Sequence, residues 1–115
     1  MNIGTRYRTI EEVVAILEEH LSIAMKKEDD GETGISYDWA TDPDEFGISY
    51  CGIYVQPTRV FDAEEQKMQW YNTNWKQFTF VIGVSDELTP HIARIRELIR
   101  QGLLVAEEIP FPVLT

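Results

Sequence analysis

The side chains most capable of chemistry in this 115-residue chain are the carboxylates of one acidic stretch, EDDGETGISYDWATDPDE, at positions 28–45. It holds eight Asp or Glu residues and no Lys or Arg. Three interpretations are open: a cation site, a surface that imitates nucleic acid toward a basic partner, or a solvated acidic surface. The candidate acidic surface comprises Asp29, Asp30, Glu32, Asp42, Asp44 and Glu45.

The calcium-loop pattern tests the first interpretation, because its oxygen ligands recur at fixed positions over twelve residues. A loop beginning at Asp42 would place Phe46 and Ile53 at ligand positions, and neither side chain carries oxygen. We therefore expect no metal ion and no cofactor, and a solvated acidic surface is the preferred interpretation.

One cysteine, Cys51, and two histidines, His20 and His91, are the candidates for nucleophilic catalysis. Cys51 lies within FGISYCGIYV, a predicted strand, where cysteine is most often a small buried hydrophobe. His20 lies beside glutamates on a predicted helix, and the three residues lack the spacing of a zinc site. The sequence also contains no glycine-rich phosphate loop. We therefore expect a protein that is not an enzyme and has no catalytic residues.

The net charge of −10 comes from one part of the chain. Residues 1–27 and 66–115 each balance their acids and bases, whereas residues 28–65 carry eleven acids against the single base Arg59. Such a region repels polyanions, so we expect no specific binding of nucleic acid.

Hydrophobic periodicity and turn residues predict the elements that position these side chains. Thr9-Ile-Glu-Glu12 is a capping box, and apolar residues then recur every three or four positions, which is typical of a helix. Alternating apolar residues predict strands. Thr89-Pro90 predicts the start of a second helix, with Thr89 as its N-cap and Pro90 at the first helical position. The predicted elements are a helix over about 9–27, an acidic loop over 28–45, strands over about 35–39, 46–56 and 68–84, a helix over about 89–101, and an apolar C-terminal arm over 103–115.

These elements predict a single domain over residues 1–115 of the α+β class: an antiparallel sheet of about three to four strands, two helices packed on one face, and an extended C-terminal arm. Phe78, Phe80 and Ile82 are expected to share the core face of the last strand, opposite the helices. The segment from Trp70 to Trp75 is either the first half of that strand or the tip of a hairpin.

Aromatic residues interleaved with Asn and Thr suit either a protein–protein interface or core packing, and an apolar arm suits docking on another surface. The candidate interface residues are Trp70, Tyr71, Trp75, Leu104, Ile109, Phe111 and Val113.

The single cysteine, the absence of a signal-peptide pattern and the lack of an apolar run of ~20 residues predict an intracellular product that does not cross a membrane.

The order of elements resembles the small tail terminator and head-to-tail joining (neck) proteins of tailed bacteriophages. The resemblance covers about residues 9–101: an amphipathic helix, a long acidic connection, a strand that ends in QP, an aromatic strand that runs into FTFVIGV, and a second helix. It implies a non-enzymatic virion protein, made in the host cytoplasm, that forms a ring, commonly a hexamer, to cap the tail tube and join it to the head connector. Its partners would be copies of itself, the tube and the connector, while DNA passes without specific binding.

The alternative is a small acidic inhibitor that mimics nucleic acid and occupies the basic groove of a DNA- or RNA-binding enzyme. A mimic requires acids in rows on ordered helices or strands, whereas most of these acids lie in a predicted loop. The ring component is therefore the preferred hypothesis.

Overall fold

The structure is a computed structural model, and it describes residues 1–29, 34–41, 51–62, 67–70 and 75–109. Its elements are, in chain order, β1 (Asn2–Thr5), α1 (Ile10–Leu21), β2 (Lys26–Asp29), β3 (Ile35–Ala40), β4 (Gly52–Pro57), β5 (Arg59–Asp62), β6 (Lys67–Trp70), β7 (Phe80–Val84), α2 (Thr89–Arg100) and β8 (Ala106–Ile109).

Six strands form one open sheet in the order β2-β3-β4-β7-β1-β8, with every neighbouring pair antiparallel. β5 and β6 form a separate antiparallel pair. The predicted α+β class is confirmed, and the prediction of three to four strands is wrong. The count was too low because β1 and β8 have only four residues each, and local patterns that short carry little strand signal.

Both helices cover the same face of the sheet. Alternate strand residues point toward them, as the β4 and β7 register pairs Ile53–Val84 and Val55–Ile82 illustrate. The core on this face comprises Ile3, Ile10, Val13, Val14, Leu17, Ile53, Val55, Ile82, Val84, Leu88, Ile95, Leu98 and Leu104.

A smaller apolar cluster forms on the opposite face, where Trp75, Phe78 and Val81 pack together and Ile109 leans against them. The prediction that Phe78 shares the core face with Ile82 is therefore wrong. Phe78 lies before β7, and its N–H donates to the Trp75 carbonyl in a tight turn (3.0 Å), so strand alternation does not extend back to it.

The first helix begins as predicted and ends six residues early. Thr9 and Glu12 form the expected capping box, with N–H to side-chain distances of 3.0 and 3.3 Å. The helix stops at Leu21 because Ser22 adopts a left-handed backbone (φ 54°). Lys26 and Lys27 consequently begin β2 rather than end the helix. Within the predicted acidic loop, β2 extends to Asp29, and β3 matches the strand predicted over about 35–39 within one residue.

The second helix matches its prediction within one residue. It starts at Thr89 with Leu88 as its N-cap, so Thr89 is not the capping residue that was predicted. Among the described residues, neither helix is long and apolar enough to cross a membrane.

Two further boundaries differ from the predictions. The segment 68–84 is not one strand, because β6 ends at Trp70 and β7 begins only at Phe80. The predicted strand over 46–56 corresponds to β4, whose first residue is Gly52, and positions 46–50 lie outside the described residues.

The predicted C-terminal arm contributes to the subunit's own fold. Leu104 is fully buried in the main core, and β8 pairs with β1 along its whole length. The predicted arm is extended over these residues, but as a strand of the subunit's own sheet, because β1 provides a sheet edge that sequence analysis did not find. Residues 110–115 lie outside the described part of the chain.

Candidate interaction surface

The face of the sheet opposite the helices holds a shallow cleft of about 490 Å³. It lies beside the end of β7 that leads into α2, and its lining includes Asn2, Asp38, Tyr54, Gly83 and Ser85. Tyr54 is its largest exposed apolar surface, with 38% of the residue accessible. The cleft therefore combines an aromatic ring with carboxylate and hydroxyl groups, as protein–protein contact surfaces do.

Tyr54 owes its position to a glycine on the neighbouring strand. Tyr54 and Gly83 are register partners on β4 and β7, and a Cβ on Gly83 would stand 2.1 Å from the tyrosine ring. The ring consequently lies flat against the sheet.

Hydrogen bonds fix the rim of this cleft. The Gly52 N–H donates to the Ser85 hydroxyl oxygen (2.8 Å), and the Ser85 N–H donates to the Gly52 carbonyl (3.0 Å). The Thr41 N–H donates to the Cys51 carbonyl (3.0 Å), which joins the end of β3 to the start of β4. These bonds hold the connection from β7 to α2 beside the start of β4 and the end of β3.

A second cleft, of about 420 Å³, lies at the opposite end of the same strands. Arg8, Arg59 and Lys76 line it, and all three are exposed. We call it the basic cleft. Its wall is rigid because the buried Thr58 hydroxyl donates to the Phe78 carbonyl (2.7 Å).

The predicted acidic surface is only partly described. Asp29 is exposed at the end of β2, whereas Asp30, Glu32, Asp42, Asp44 and Glu45 lie outside the described residues. On β2 the sequence Lys-Lys-Glu-Asp is exposed throughout, and the Lys26 ammonium stands 3.3 Å from the Glu28 carboxylate. Acids on this strand therefore lie beside lysines rather than in uninterrupted rows.

The predicted interface residues fall into three groups. Trp75 and Leu104 are buried inside the chain, and Ile109 is half-buried against the Trp75 cluster. Trp70 ends β6. The remaining candidates, Tyr71, Phe111 and Val113, lie outside the described residues.

The catalytic candidates occupy different settings. Cys51 is half-buried and lines the cleft beside Tyr54, and His20 is half-buried near the end of α1. The His91 ring stacks at a tilt on Trp39, with centroids 5.2 Å apart, and its buried Nδ1 has no hydrogen-bond partner among the described residues. Nor does the described part of the chain bring together three or more His, Cys, Asp or Glu side chains that could hold a metal.

The groups whose pKa is displaced belong to exposed ion pairs on α2. A hydrogen bond from Arg100 lowers the pKa of Glu97, and the same bond raises the pKa of Arg100. A hydrogen bond to Glu108 on β8 raises the pKa of Arg96 and ties the helix to the sheet edge. These pairs are surface contacts outside both clefts.

Sequence analysis missed Tyr54, Gly83 and the basic cleft. The signal for Tyr54 was present, since Ile53 and Val55 share one strand parity and leave Tyr54 on the other. The basic cleft gave no local signal, because its three bases come from separate parts of the chain.

Comparison with known proteins gives no family assignment: the chain matches no protein-family model, no curated protein and no solved structure.

Proposed function

We propose that this protein is a non-enzymatic structural subunit that assembles with copies of itself into a ring, as a tail terminator or neck component of a phage virion. In this role the ring caps the tail tube and joins it to the head connector. The resemblance in element order motivates the virion context, and the exposed Tyr54 on the sheet face opposite the helices supports the assembly.

The observation that carries the proposal is the exposed Tyr54 on the face of the sheet that the helices leave uncovered. Among the described residues Tyr54 is exposed on the sheet face opposite the helices, and a large aromatic side chain there is well suited to burial against another chain. The ring of Tyr54 lies close against Gly83 of the neighbouring strand, so a partner would cover it in the position it already has.

The nucleic-acid mimic gains no support from β2, because Glu28 and Asp29 on this strand adjoin Lys26 and Lys27. A mimic would need unbroken rows of carboxylates at the spacing of phosphates.

The test compares the parent protein with Tyr54→Arg by native mass spectrometry and electron microscopy. The parent should form a closed ring with a central opening, and Tyr54→Arg should dissociate it because the aromatic surface is replaced by a charged guanidinium that can pair with Asp38 across the strands. Val105→Arg is the control, since Val105 is also an exposed apolar residue (68%) but lies away from the cleft. A monomeric parent, or equal loss of assembly in both variants, would contradict the proposal.

A further inference from the structure

We propose that neighbouring subunits contact each other heterologously, with the basic cleft of one copy receiving the acidic end of the sheet of the next. The acidic end is defined by the exposed carboxylates Asp38, Asp86 and Glu87. This inference rests on the proposed ring assembly and names the contact that builds it.

The two surfaces lie at opposite ends of the same strands. Phe80, the first residue of β7, pairs with Pro57 and lines the basic cleft, whereas Val84, the last residue, pairs with Ile53 and lines the other cleft. Four residue steps along a strand separate these positions by about 13 Å. The turn that carries Asp86 and Glu87 directly follows Ser85 at the far end.

The charges at the two ends are opposite. The basic cleft gathers three of the chain's ten Lys and Arg residues in a protein of net charge −10. At the acidic end, Asp38 is the register partner of Lys26 on the neighbouring strand, but the Lys26 ammonium forms an ion pair with Glu28 instead of Asp38. Asp86 accepts a hydrogen bond from the Met1 amino group (3.2 Å), which offsets one negative charge. The carboxylates of Asp38 and Glu87 still leave this end with an excess of negative charge.

Opposite patches on one subunit are complementary between copies, whereas the same patch on two copies would repel. Heterologous contacts generate a closed ring when the rotation between subunits closes, and a filament when it does not. In the proposed ring each subunit uses its basic cleft toward one neighbour and its acidic end toward the other.

A second copy of this chain fits the basic cleft better than a nucleic acid does. A nucleic acid carries phosphates along its whole length and would also meet the acidic parts of this protein. A second copy can present the carboxylates of its acidic end, and charges farther away are screened beyond a Debye length of about 8 Å at physiological salt.

The test uses two charge-reversal variants of the full chain. The cleft variant is Arg8→Glu/Lys76→Glu, and the acid variant is Asp38→Lys/Glu87→Lys. Each alone should raise the concentration needed for assembly by about tenfold or more, because like charges then face each other across the contact. An equimolar mixture should restore assembly, because the negatively charged cleft of one variant can then contact the positively charged end of the other.

Lys27→Glu/Arg94→Glu is the matched control, because it makes the same change in net charge at two exposed bases outside the cleft. It should assemble close to the parent level, and circular dichroism should show that all variants keep the fold.

Each contrary outcome is decisive. If the cleft variant forms a ring as readily as the control does, the heterologous contact is overturned, but the proposed function still stands. Failure of the mixture to restore assembly would overturn it as well. Binding of a single-stranded oligonucleotide that the cleft variant loses, with unchanged assembly, would assign the cleft to nucleic acid instead. A monomeric parent would overturn both proposals.

Discussion

The ring of Tyr54 on β4 lies against Gly83 of β7, its register partner, so closely that a Cβ at position 83 would stand 2.1 Å from ring carbons. A similar relationship holds elsewhere on the same face, where a Cβ at Gly4 would stand 2.5 Å from the Phe78 ring. The two sites differ in the freedom of the aromatic side chain, because Tyr54 is 38% exposed and Phe78 only 3%.

This difference predicts contrasting effects of alanine at the two glycines. Gly83→Ala should change the free energy of unfolding by less than about 1 kcal/mol, because the exposed tyrosine can swing outward, whereas Gly4→Ala should cost about 1–3 kcal/mol by overpacking the Phe78 cluster. Denaturant titration measures both. Gly83→Ala should nevertheless weaken assembly, because Tyr54 no longer lies on the sheet. A larger loss of stability at Gly83 than at Gly4 would show that Tyr54 is held as rigidly as Phe78.

Adjacent leucines after α2 provide a second prediction. Leu104 is fully buried and Leu103 is 46% exposed. Leu104→Ala should lower the free energy of unfolding by about 2–5 kcal/mol, because it removes apolar contacts from the core and leaves a cavity. Leu103→Ala, the matched control, should change it by no more than about 0.5 kcal/mol.

For the same reason, deletion of residues 104–115 should unfold the protein, since it removes both Leu104 and β8. Circular dichroism measures this outcome. A folded truncated chain would mean that this segment is dispensable to the subunit, as an assembly arm would be.

The Glu97–Arg100 pair on α2 predicts a pH dependence. The pKa of Glu97 is lowered in the folded chain by the Arg100 hydrogen bond. The stabilisation is therefore present above the pKa of an unfolded glutamate, about 4.3, and is lost as pH falls through the lower folded value. Melting temperatures of the parent and of Glu97→Gln should differ slightly at neutral pH and converge in acid. The difference is small because both side chains are exposed, and added salt should reduce it. A difference that grew on acidification would contradict this assignment.

Local signals account for the parts of the fold that sequence analysis predicted. The Thr9–Glu12 capping box and the proline at the start of α2 act within one helical turn, so a linear pattern captures them. The end of α1 was not predicted because apolar residues continue after it through Ile23 and Met25, whereas the left-handed backbone of Ser22 ends the helix.

Long-range pairing accounts for what sequence analysis missed. β8 forms a strand because it pairs with β1, about a hundred residues earlier in the chain. The local sequence Ala-Glu-Glu-Ile contains no pattern that predicts this pairing. The Gly83 contact with Tyr54 and the meeting of Arg8, Arg59 and Lys76 likewise depend on register between distant segments. Sites that depend on register in this way cannot be read from spacing along one chain segment.

The mass of the untagged parent protein in native buffer tests the central claim most directly. At micromolar concentration and physiological salt, native mass spectrometry should show one dominant species that contains at least three copies of the 13.3 kDa subunit, with a ring outline in electron micrographs. A species that stays at 13.3 kDa as the concentration is raised would contradict the account.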